Sequence, residues 1–417
     1  MVQKMRKMKD SGIEWIGEIP EGWEVGQIGQ LYSERRTKVS DKDYPPLSVT
    51  MKGILPQLST AAKTDAHDDR KLVCKGDFAI NSRSDRRGSC GISEQDGSIS
   101  LINTVLQPRG EMNPGYYNWL FHTSMFADEF YKWGHGIVDD LWTTGWSDMK
   151  KISVPVPSKC EQKQLAEHLN VECSNIDSIL SKTRSSIEEY KKLKQSVITQ
   201  AVTKAIYDDF GNPSKFRKLR SLCDVLSKGT TPKDIETQND EFYCIRYLKS
   251  ENIVSNQLNL NPTFFITAET NNSLERSKLN SGDILFVIAG ASIGKVAITT
   301  ADFLPANTNQ AVAFIRLSSS YQYATKYIWY FLQSDVVKQL IALSAVQSAQ
   351  PNLSLEDLGA MRLPLPDQMG CLKITDYLDA KCAEIDKLIA KKEQLVKELE
   401  SYKKSLIYEV VTGKREV

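Results

Sequence analysis

The feature that most constrains this chain is a long helical segment that occurs twice. Shifting the sequence by 209 residues without a gap places 161–204 on 370–413 and gives 11 identities in 44 positions, where average composition gives about three by chance. Other positions exchange one apolar residue for another, such as Leu165 for Ile374. A period of about half the chain length indicates two copies of one structural unit.

Both copies are predicted to be long α-helices. Neither has an internal proline or glycine, and apolar residues recur at steps of three and four, the spacing of one helix face. Forty-four residues span roughly 65 Å at the helical rise, which is longer than an ordinary globular helix. Because so long an apolar stripe needs another stripe to cover it, we expect an antiparallel intramolecular coiled coil. The alternative is that each helix packs only on its own domain.

Composition describes an ordinary globular chain. Its 417 residues predict two or three domains, with 41% hydrophobic and 25% charged residues. No run of eighteen apolar residues occurs, so no membrane span is expected. Eight cysteines without a C-x-x-C pair predict reduced thiols in the cytoplasm. The net charge of +1 neither favours nor excludes nucleic acid, because patches of charge bind phosphate.

The first half is predicted to be a mixed α/β domain behind a turn-rich lead-in over residues 11–23. Alternating apolar residues, turn clusters and an apolar helix face define its elements. They are strands over 44–50, 77–81, 99–106 and 152–157, and a helix over 116–133.

The second half repeats this plan. Gly76-Asp77 aligns with Gly282-Asp283 at an offset of 206, and Trp146-Ser-Asp148 with Leu355-Glu-Asp357 at 209. The fold class is therefore α/β (α+β), with two mixed α/β domains separated by two long helices in a pseudo-twofold internal repeat. The predicted boundaries are 1–157 and 207–366 for the two domains and 158–206 and 367–417 for the two spacer helices, with a polar linker at 208–214.

One glycine-rich string resembles a phosphate-binding loop. Gly290-Ala-Ser-Ile-Gly-Lys295 has three residues between its glycines where that loop needs four, and Val296 stands where a Mg²⁺-binding hydroxyl belongs. We therefore predict a tight turn that joins strands over 284–289 and 296–299.

Motifs of catalysis are missing from the sequence. It has no Asp/Asn-Pro-Pro-Tyr/Phe tetrad of amino-methyltransferases, no G-x-G loop after a strand and no serine nucleophile elbow. None of the four histidines is paired with cysteine at zinc-ligand spacing. The sequence predicts a protein without catalytic residues, metal site or cofactor of its own.

Polar and basic side chains on predicted loops are the candidate DNA contacts. Arginine reads guanine through two parallel hydrogen bonds, and lysine or hydroxyl groups bind phosphate. The alternative for each residue is a solvated charged surface. The candidates are Asn81, Arg83, Arg86 and Arg87 in the first half, and Lys228, Thr230, Thr231, Lys233, Arg246 and Lys249 in the second. For Trp142, Trp146 and Trp329 we predict positions in the domain cores.

The architecture and a set of short strings together resemble the specificity subunit of type I restriction–modification systems. The resemblance covers nearly the whole chain, with one departure at Asp367-Gln-Met-Gly-Cys-Leu372, where the family carries a Pro-Pro-x-x-Glu-Gln-like turn. The strings include Lys9-Asp-Ser-Gly-Ile-Glu-Trp-Ile-Gly-Glu-Ile-Pro-Glu-Gly-Trp23, Val138-Asp-Asp-Leu-Trp142, Gly282-Asp-Ile-Leu285, Asn309-Gln-Ala-Val312 and Gln350-Pro-Asn-Leu-Ser354.

The resemblance implies a cytoplasmic, non-catalytic subunit that recognises double-stranded DNA. Two target-recognition domains each read one half of a split target, while the helices set the spacing and dock two methyltransferase subunits. S-adenosylmethionine belongs to those partners, and motor–nuclease subunits complete the restriction complex. Two other functions stay open: a self-sufficient DNA methyltransferase or nuclease, and a coiled-coil scaffold that does not read DNA.

Overall fold

The computed structural model describes residues 6–57, 69–136, 142–204, 215–345 and 352–417. The predicted linker at 208–214, and parts of the strings at 138–142 and 350–354, lie outside the described residues. Contacts divide the chain into two compact units. The first unit comprises residues 1–183 and 394–417, and the second unit comprises residues 184–393. Each long helix therefore contributes one part to each unit.

The first unit combines small sheets with short helices and parts of both long helices. Its strands are β1 (Met8–Asp10), β2 (Glu18–Pro20), β3 (Glu24–Gln27), β4 (Tyr32–Glu34), β5 (Lys38–Val39), β6 (Leu47–Thr50), β7 (Gly53–Pro56), β8 (Arg70–Val73), β9 (Phe78–Asn81), β10 (Cys90–Ile92), β11 (Gly97–Ile99), β12 (Asn103–Pro108) and β13 (Ser153–Val156). Its helices are α1 (Ile28–Leu31), α2 (Pro114–Phe121), α3 (Ser124–Lys132), α4 (Trp146–Met149) and the start of α5 (Lys159–Lys204).

The second unit is built in the same manner. Its strands are β14 (Lys215–Lys218), β15 (Cys223–Lys228), β16 (Tyr243–Leu248), β17 (Ile253–Val254), β18 (Gln257–Leu258), β19 (Phe265–Thr267), β20 (Ile284–Val287), β21 (Val296–Ile298), β22 (Ala306–Thr308), β23 (Val312–Leu317) and β24 (Arg362–Leu365). Its helices are α6 (Ala268–Ser273), α7 (Thr325–Leu332), α8 (Asp335–Ala345), α9 (Leu355–Ala360) and most of α10 (Gln368–Val411), which ends in the first unit.

Each unit contains one four-stranded antiparallel sheet of the same strand order. The order is β10-β9-β12-β4 in the first unit and β21-β20-β23-β15 in the second. The strands of each sheet follow the chain in the same sequence, so the internal repeat is confirmed. The three-stranded sheets differ: β11-β8-β5 is antiparallel throughout, whereas β19-β16-β22 contains a parallel pair, β16 with β22.

The recurring Gly-Asp pair has the same structural role in both units. Gly76 and Gly282 adopt φ of 89° and 88°, a left-handed conformation that favours glycine. The buried carboxylate that follows binds an arginine: Arg35 Nε donates to Asp77 at 2.6 Å, and Arg316 Nη2 donates to Asp283 at 2.7 Å. These hydrogen bonds raise the pKa of both guanidinium groups. The pair recurs because it fixes the turn before the central strand.

The long helices begin two residues before the predicted ranges. Ser158 and Glu161 form a reciprocal cap at the start of α5, in which Glu161 N donates to Ser158 Oγ and Ser158 N donates to Glu161 Oε2, both at 3.3 Å. At α10, Gly370 N donates to Asp367 Oδ1 at 2.8 Å. The string that departs from the family therefore still caps its helix, with aspartate as the acceptor.

Within the first unit, α5 and α10 run antiparallel. Lys403 donates to Asp177 at 2.6 Å. Toward the other end of the same segment, Glu161 accepts a hydrogen bond from Trp23, and a β-carbon on Gly413 would lie 2.9 Å from that indole. The residue numbers of α5 therefore rise in the direction in which those of α10 fall. The buried apolar side chains of this segment of α5 join the first unit's core, which also holds Leu406, Val410 and Val411.

The same antiparallel packing occurs within the second unit. Lys194 donates to Asp386 at 2.6 Å, and Lys392 lies over the ring of Tyr190 at 5.7 Å. The second unit's core contains Ile198 and Val202 of α5 together with buried residues of α10. The predicted antiparallel packing of the helices is therefore confirmed within each unit.

The predicted helix over 116–133 is wrong as a single helix, because the structure has α2 and α3 separated at His122 and Thr123. The Thr123 hydroxyl donates to Leu120 O at 2.8 Å and accepts from Phe126 N at 3.2 Å. One threonine thus ends the first helix and caps the second. The apolar spacing continues across the break, which is why periodicity alone missed it.

Two further observations concern the whole described chain. None of the helices in the described ranges is both long enough and apolar enough to cross a membrane. All eight cysteines fall within those ranges and are free thiols.

Candidate nucleic-acid interface

One end of the four-stranded sheet gathers the polar loops of the first unit. At this end β9 finishes at Asn81, which pairs with the first residue of β12, Asn103. The adjacent strand β10 starts at Cys90, opposite Ile80. The segment between β9 and β10 therefore forms a loop at this end, and it carries the predicted arginine cluster.

The structure brings the three arginines of this loop to the surface. Arg83, Arg86 and Arg87 have side chains that are 39%, 69% and 53% exposed. Asp85 lies 3.4 Å from Arg83 and 3.8 Å from Arg86. Arg87 is ion-paired with Asp128 on α3 and lies 5.5 Å from the centre of the Tyr131 ring. Exposed ion pairs of this kind contribute little to stability, so the guanidinium groups are available to a polyanion.

Asn81 lies beneath this loop and is buried. Its side-chain oxygen accepts a hydrogen bond from Arg83 N at 3.1 Å, and its carbonyl accepts one from the Tyr131 hydroxyl at 3.0 Å. As placed, Asn81 positions the arginine loop from within the sheet. DNA contact by these four residues stays a prediction.

Sequence reasoning missed an exposed tryptophan beside this loop. Ser84 N donates to Trp142 O at 2.9 Å, and Trp142 N donates to Ser84 Oγ at 3.1 Å. The predicted core position is wrong for Trp142, which is 36% exposed, because its backbone pairs with the loop and leaves the ring at the surface. Trp146 and Trp329 pack against their units' cores as predicted.

The second unit also presents a polar loop at this end of its sheet. β15 ends at Lys228, opposite Ala313 near the start of β23. The residues that follow, including Thr230, Thr231 and Lys233, are exposed. Burial raises the pKa of Tyr247 to about 12, so its phenol stays protonated and donates to Thr230 O at 2.8 Å.

Gly229 fixes where this loop leaves the sheet. A β-carbon at Gly229 would lie 1.8 Å from the carbonyl oxygen of Thr308, so only glycine fits against that backbone. Thr308 in turn donates to Leu248 O at 2.7 Å, and Lys249 therefore follows β16 at the same place. The Lys249 ammonium lies 3.6 Å from the centre of the Phe264 ring.

Arg246 lies within strand β16 and not on a loop. Its guanidinium donates to the carbonyl of Asp302 at 2.6 Å, and Arg246 itself is paired with Ala306 and Phe265 within the three-stranded sheet. The Tyr247–Thr230 hydrogen bond and the close approach of Gly229 to Thr308 connect the start of the loop after β15 with the end of β16, which Lys249 follows, whereas Arg246 lies within β16. DNA contact by any of the second unit's candidate residues stays a prediction.

The glycine-rich string is a turn, as predicted. β20 and β21 pair antiparallel on either side of it, with Phe286 opposite Val296. Gly290 and Gly294 adopt φ of 85° and 87°. The strands are shorter than predicted and end at Val287 and Ile298. Across the described portions of both units, no three His, Cys, Asp or Glu side chains lie together as metal ligands would.

Comparison with known proteins agrees with this architecture. Residues 212–398 match the family model described as the type I restriction modification DNA specificity domain. The chain is 23% identical over 422 residues to the type I restriction enzyme MjaVIII specificity subunit of Methanocaldococcus jannaschii, with 95% of this chain and 93% of that protein covered. It is 27% identical over 258 residues to the EcoBI specificity subunit of Escherichia coli, with 57% and 53% covered.

Two solved structures share the fold. A chain from a study of complex assembly and conformational transition of the type I restriction–modification system matches with a TM-score of 0.74 at 12% identity, covering 95% of this chain and 99% of that one. The HsdS subunit of Thermoanaerobacter tengcongensis matches with a TM-score of 0.53 at 15% identity, covering 95% and 98%. With its repeated sheets and paired long helices, the chain is similar to type I restriction–modification specificity subunits in sequence and in fold.

Proposed function

We propose that this chain gives a type I restriction–modification complex its DNA sequence specificity, with each target-recognition domain reading one half of a bipartite target. The observation that carries the proposal is the repeated sheet: both units present exposed polar and basic loops at the same end of equivalent sheets. Two similar recognition domains (the readers) on one chain match a target with two half-sites, as the two subunits of dimeric repressors do.

The readers differ between the units, which fits a target whose halves differ. The first unit offers Arg83, Arg86 and Arg87, and an arginine that is bidentate to guanine contributes about 1–3 kcal/mol of discrimination. The second unit offers Lys228, Lys233 and hydroxyl groups. These groups can donate hydrogen bonds to phosphate oxygens and to acceptor atoms that different bases have in common.

The partners in this proposal follow from the helices. The less divergent parts of the repeat are α5 and α10, as expected if two copies of one partner bind equivalent surfaces. We assign that role to two methyltransferase subunits, which bind S-adenosylmethionine, with motor–nuclease subunits completing the restriction complex. The chain itself then needs no catalytic residue, metal or cofactor.

The test uses the full chain purified with its methyltransferase partner and the methylated motif mapped in the host genome. Arg83→Ala or Arg86→Ala is expected to reduce discrimination in one half-site by about 1–3 kcal/mol and to leave the other half unchanged. Lys228→Ala is expected to weaken binding through the other half. Competition against duplexes with single base changes in each half-site measures both effects, and native mass measurement of the same complex counts the methyltransferase subunits.

Arg109→Ala is the matched control, because exposed Arg109 follows β12 at the opposite end of the first unit's sheet. Loss of discrimination in both halves from one loop variant contradicts the two-reader arrangement. Methylation of DNA by the chain alone supports the enzyme alternative. A complex that assembles but has no preference for the mapped motif supports the scaffold alternative.

A further inference from the structure

The turn at Gly290–Lys295 has no role in the readers described above, although it lies beside one of them. It follows the last residue of β20, Val287, which pairs with Val312 at the start of β23. Lys228 pairs with the neighbouring residue of that strand, Ala313. The turn and the Lys228–Lys233 loop therefore leave the same sheet at the same end.

The internal repeat places this turn where the first unit has its arginines. In the register of 206 residues that aligns the Gly-Asp pairs, residues 290–295 correspond to 84–89. Each segment is braced in the same manner by an antiparallel bridge to the residues before the last short helix. The bridges are Arg83 with Thr143 in the first unit and Ala289 with Asn352 in the second.

Hydrogen bonds and packing hold the turn in one shape. Val287 N donates to Lys295 O, and Gly294 N donates to Val287 O, both at 2.9 Å. Ile293 N donates to Gly290 O at 3.1 Å, and the Ile293 side chain packs against the second unit's core. A rigid element that carries a contact residue loses little conformational freedom on binding.

The charge of the turn favours an anion. Lys295 is exposed, and its side-chain ammonium group has no hydrogen-bond or ion-pair partner among the residues that the structure describes. No acidic residue occurs in the sequence between Asp283 and Asp302. By contrast, the arginines at the equivalent place in the first unit are each beside a carboxylate. The tip residues Ala291 and Ser292 are small, so a duplex backbone can approach closely.

We propose that Lys295 contacts a DNA phosphate in the half-site read by the second unit, with the turn as a rigid support. The inference rests on the proposed function and adds a contact to it. A phosphate contact fixes the position of the Lys228–Lys233 loop on the duplex and carries no base preference of its own.

The experiment measures binding of the full chain, in complex with its methyltransferase partner, to a duplex with the mapped motif and to a random-sequence duplex over a range of salt concentrations. Lys295→Gln is expected to weaken binding to both duplexes alike, by about fivefold near physiological salt, and to reduce the slope of log affinity against log salt by about 0.9. Ala291→Glu, which adds a negative charge at the exposed tip, is expected to weaken binding further. Phosphate ethylation interference is expected to lose one signal, confined to one half-site.

Lys218→Gln is the matched control, because exposed Lys218 ends β14 ahead of β15, and β15 begins at the end of the four-stranded sheet opposite the turn. If Lys295→Gln has the same salt slope and interference pattern as Lys218→Gln while the wild-type complex still prefers the motif, the inference is wrong and the proposed function stands. If the wild-type complex has no preference for the motif over random DNA, the proposed function fails and the inference fails with it.

Discussion

The two units of this chain share the same internal framework and differ in the loops at their surfaces. Both have the same four-stranded sheet, the same buried Asp–Arg pair and an equivalent ion pair between the long helices. Their three-stranded sheets pair differently, and the loops at the sheet end carry arginines in one unit and lysines with hydroxyl groups in the other. The difference teaches that a repeated framework can carry two different sets of surface side chains, because the exposed side chains of these loops are not needed to form the core.

The largest effect is expected at the buried carboxylates that both units share. Asp77→Ala and Asp283→Ala each leave an arginine without its partner, and removal of one member of such a pair costs about 3–5 kcal/mol. Both carboxylates are at most 2% exposed. Each variant is expected to destabilise its own unit, seen as faster amide hydrogen exchange in β9 for Asp77→Ala and in β20 for Asp283→Ala.

Asp376→Ala is the control, since Asp376 is exposed on α10 and has no ion pair among the described contacts. The conservative Asp283→Asn keeps hydrogen-bond acceptance and is expected to cost less than Asp283→Ala. Equal loss of protection in both units from either alanine variant means that they do not unfold separately, and the comparison between them then fails for stability.

A smaller effect is expected where the units differ in backbone packing. Gly229 follows β15 against the Thr308 carbonyl, whereas Arg35 follows the equivalent strand β4. Gly229→Ala must displace backbone, which costs about 1–3 kcal/mol, and it shifts the Lys228–Lys233 loop. We expect weaker binding through the second half-site with unchanged discrimination in the first, measured by the same base-change competition.

Gly22→Ala provides the comparison for this change, because a β-carbon at Gly22 meets nothing within 4 Å. It is expected to leave both stability and DNA binding near the wild-type values. If Gly229→Ala binds both half-sites as the wild type does, the loop after β15 is not a reader.

The sequence predicted the framework better than the surfaces. Each long helix begins and ends within two residues of its predicted range, because an apolar stripe that continues over 44 residues is a strong local signal. Gly76-Asp77 marked the start of the central strand because the turn before that strand needs the glycine. Burial of Asn81 and exposure of Trp142 depend on hydrogen bonds with residues 50 and 58 positions away in the chain. No local sequence pattern contains such distant partners. The sequence therefore predicted which loops carry the candidate residues, but not how those residues are arranged or buried.

The smallest effect is expected at the ion pairs between the long helices, and it sharpens the comparison most. In the 209-residue register Asp177 aligns with Asp386 and Lys194 with Lys403, so each unit pairs the aspartate of one helix with the lysine of the other. The aspartates are 58% and 54% exposed, and exposed pairs contribute about 0.2–1 kcal/mol. A double-mutant cycle on each pair, with alanine at one or both positions, is expected to give the same small coupling in the two units.

Salt provides the internal check on that result. Both couplings are expected to shrink together as ionic strength rises from 0.05 to about 1 M, because the Debye length falls to about 3 Å. Thermal unfolding of the four variants of each cycle measures the coupling. A coupling that is salt-sensitive in one unit and insensitive in the other shows that the two helix contacts are not equivalent. In that case the two units share a backbone fold but not the side-chain interactions that hold the helices together.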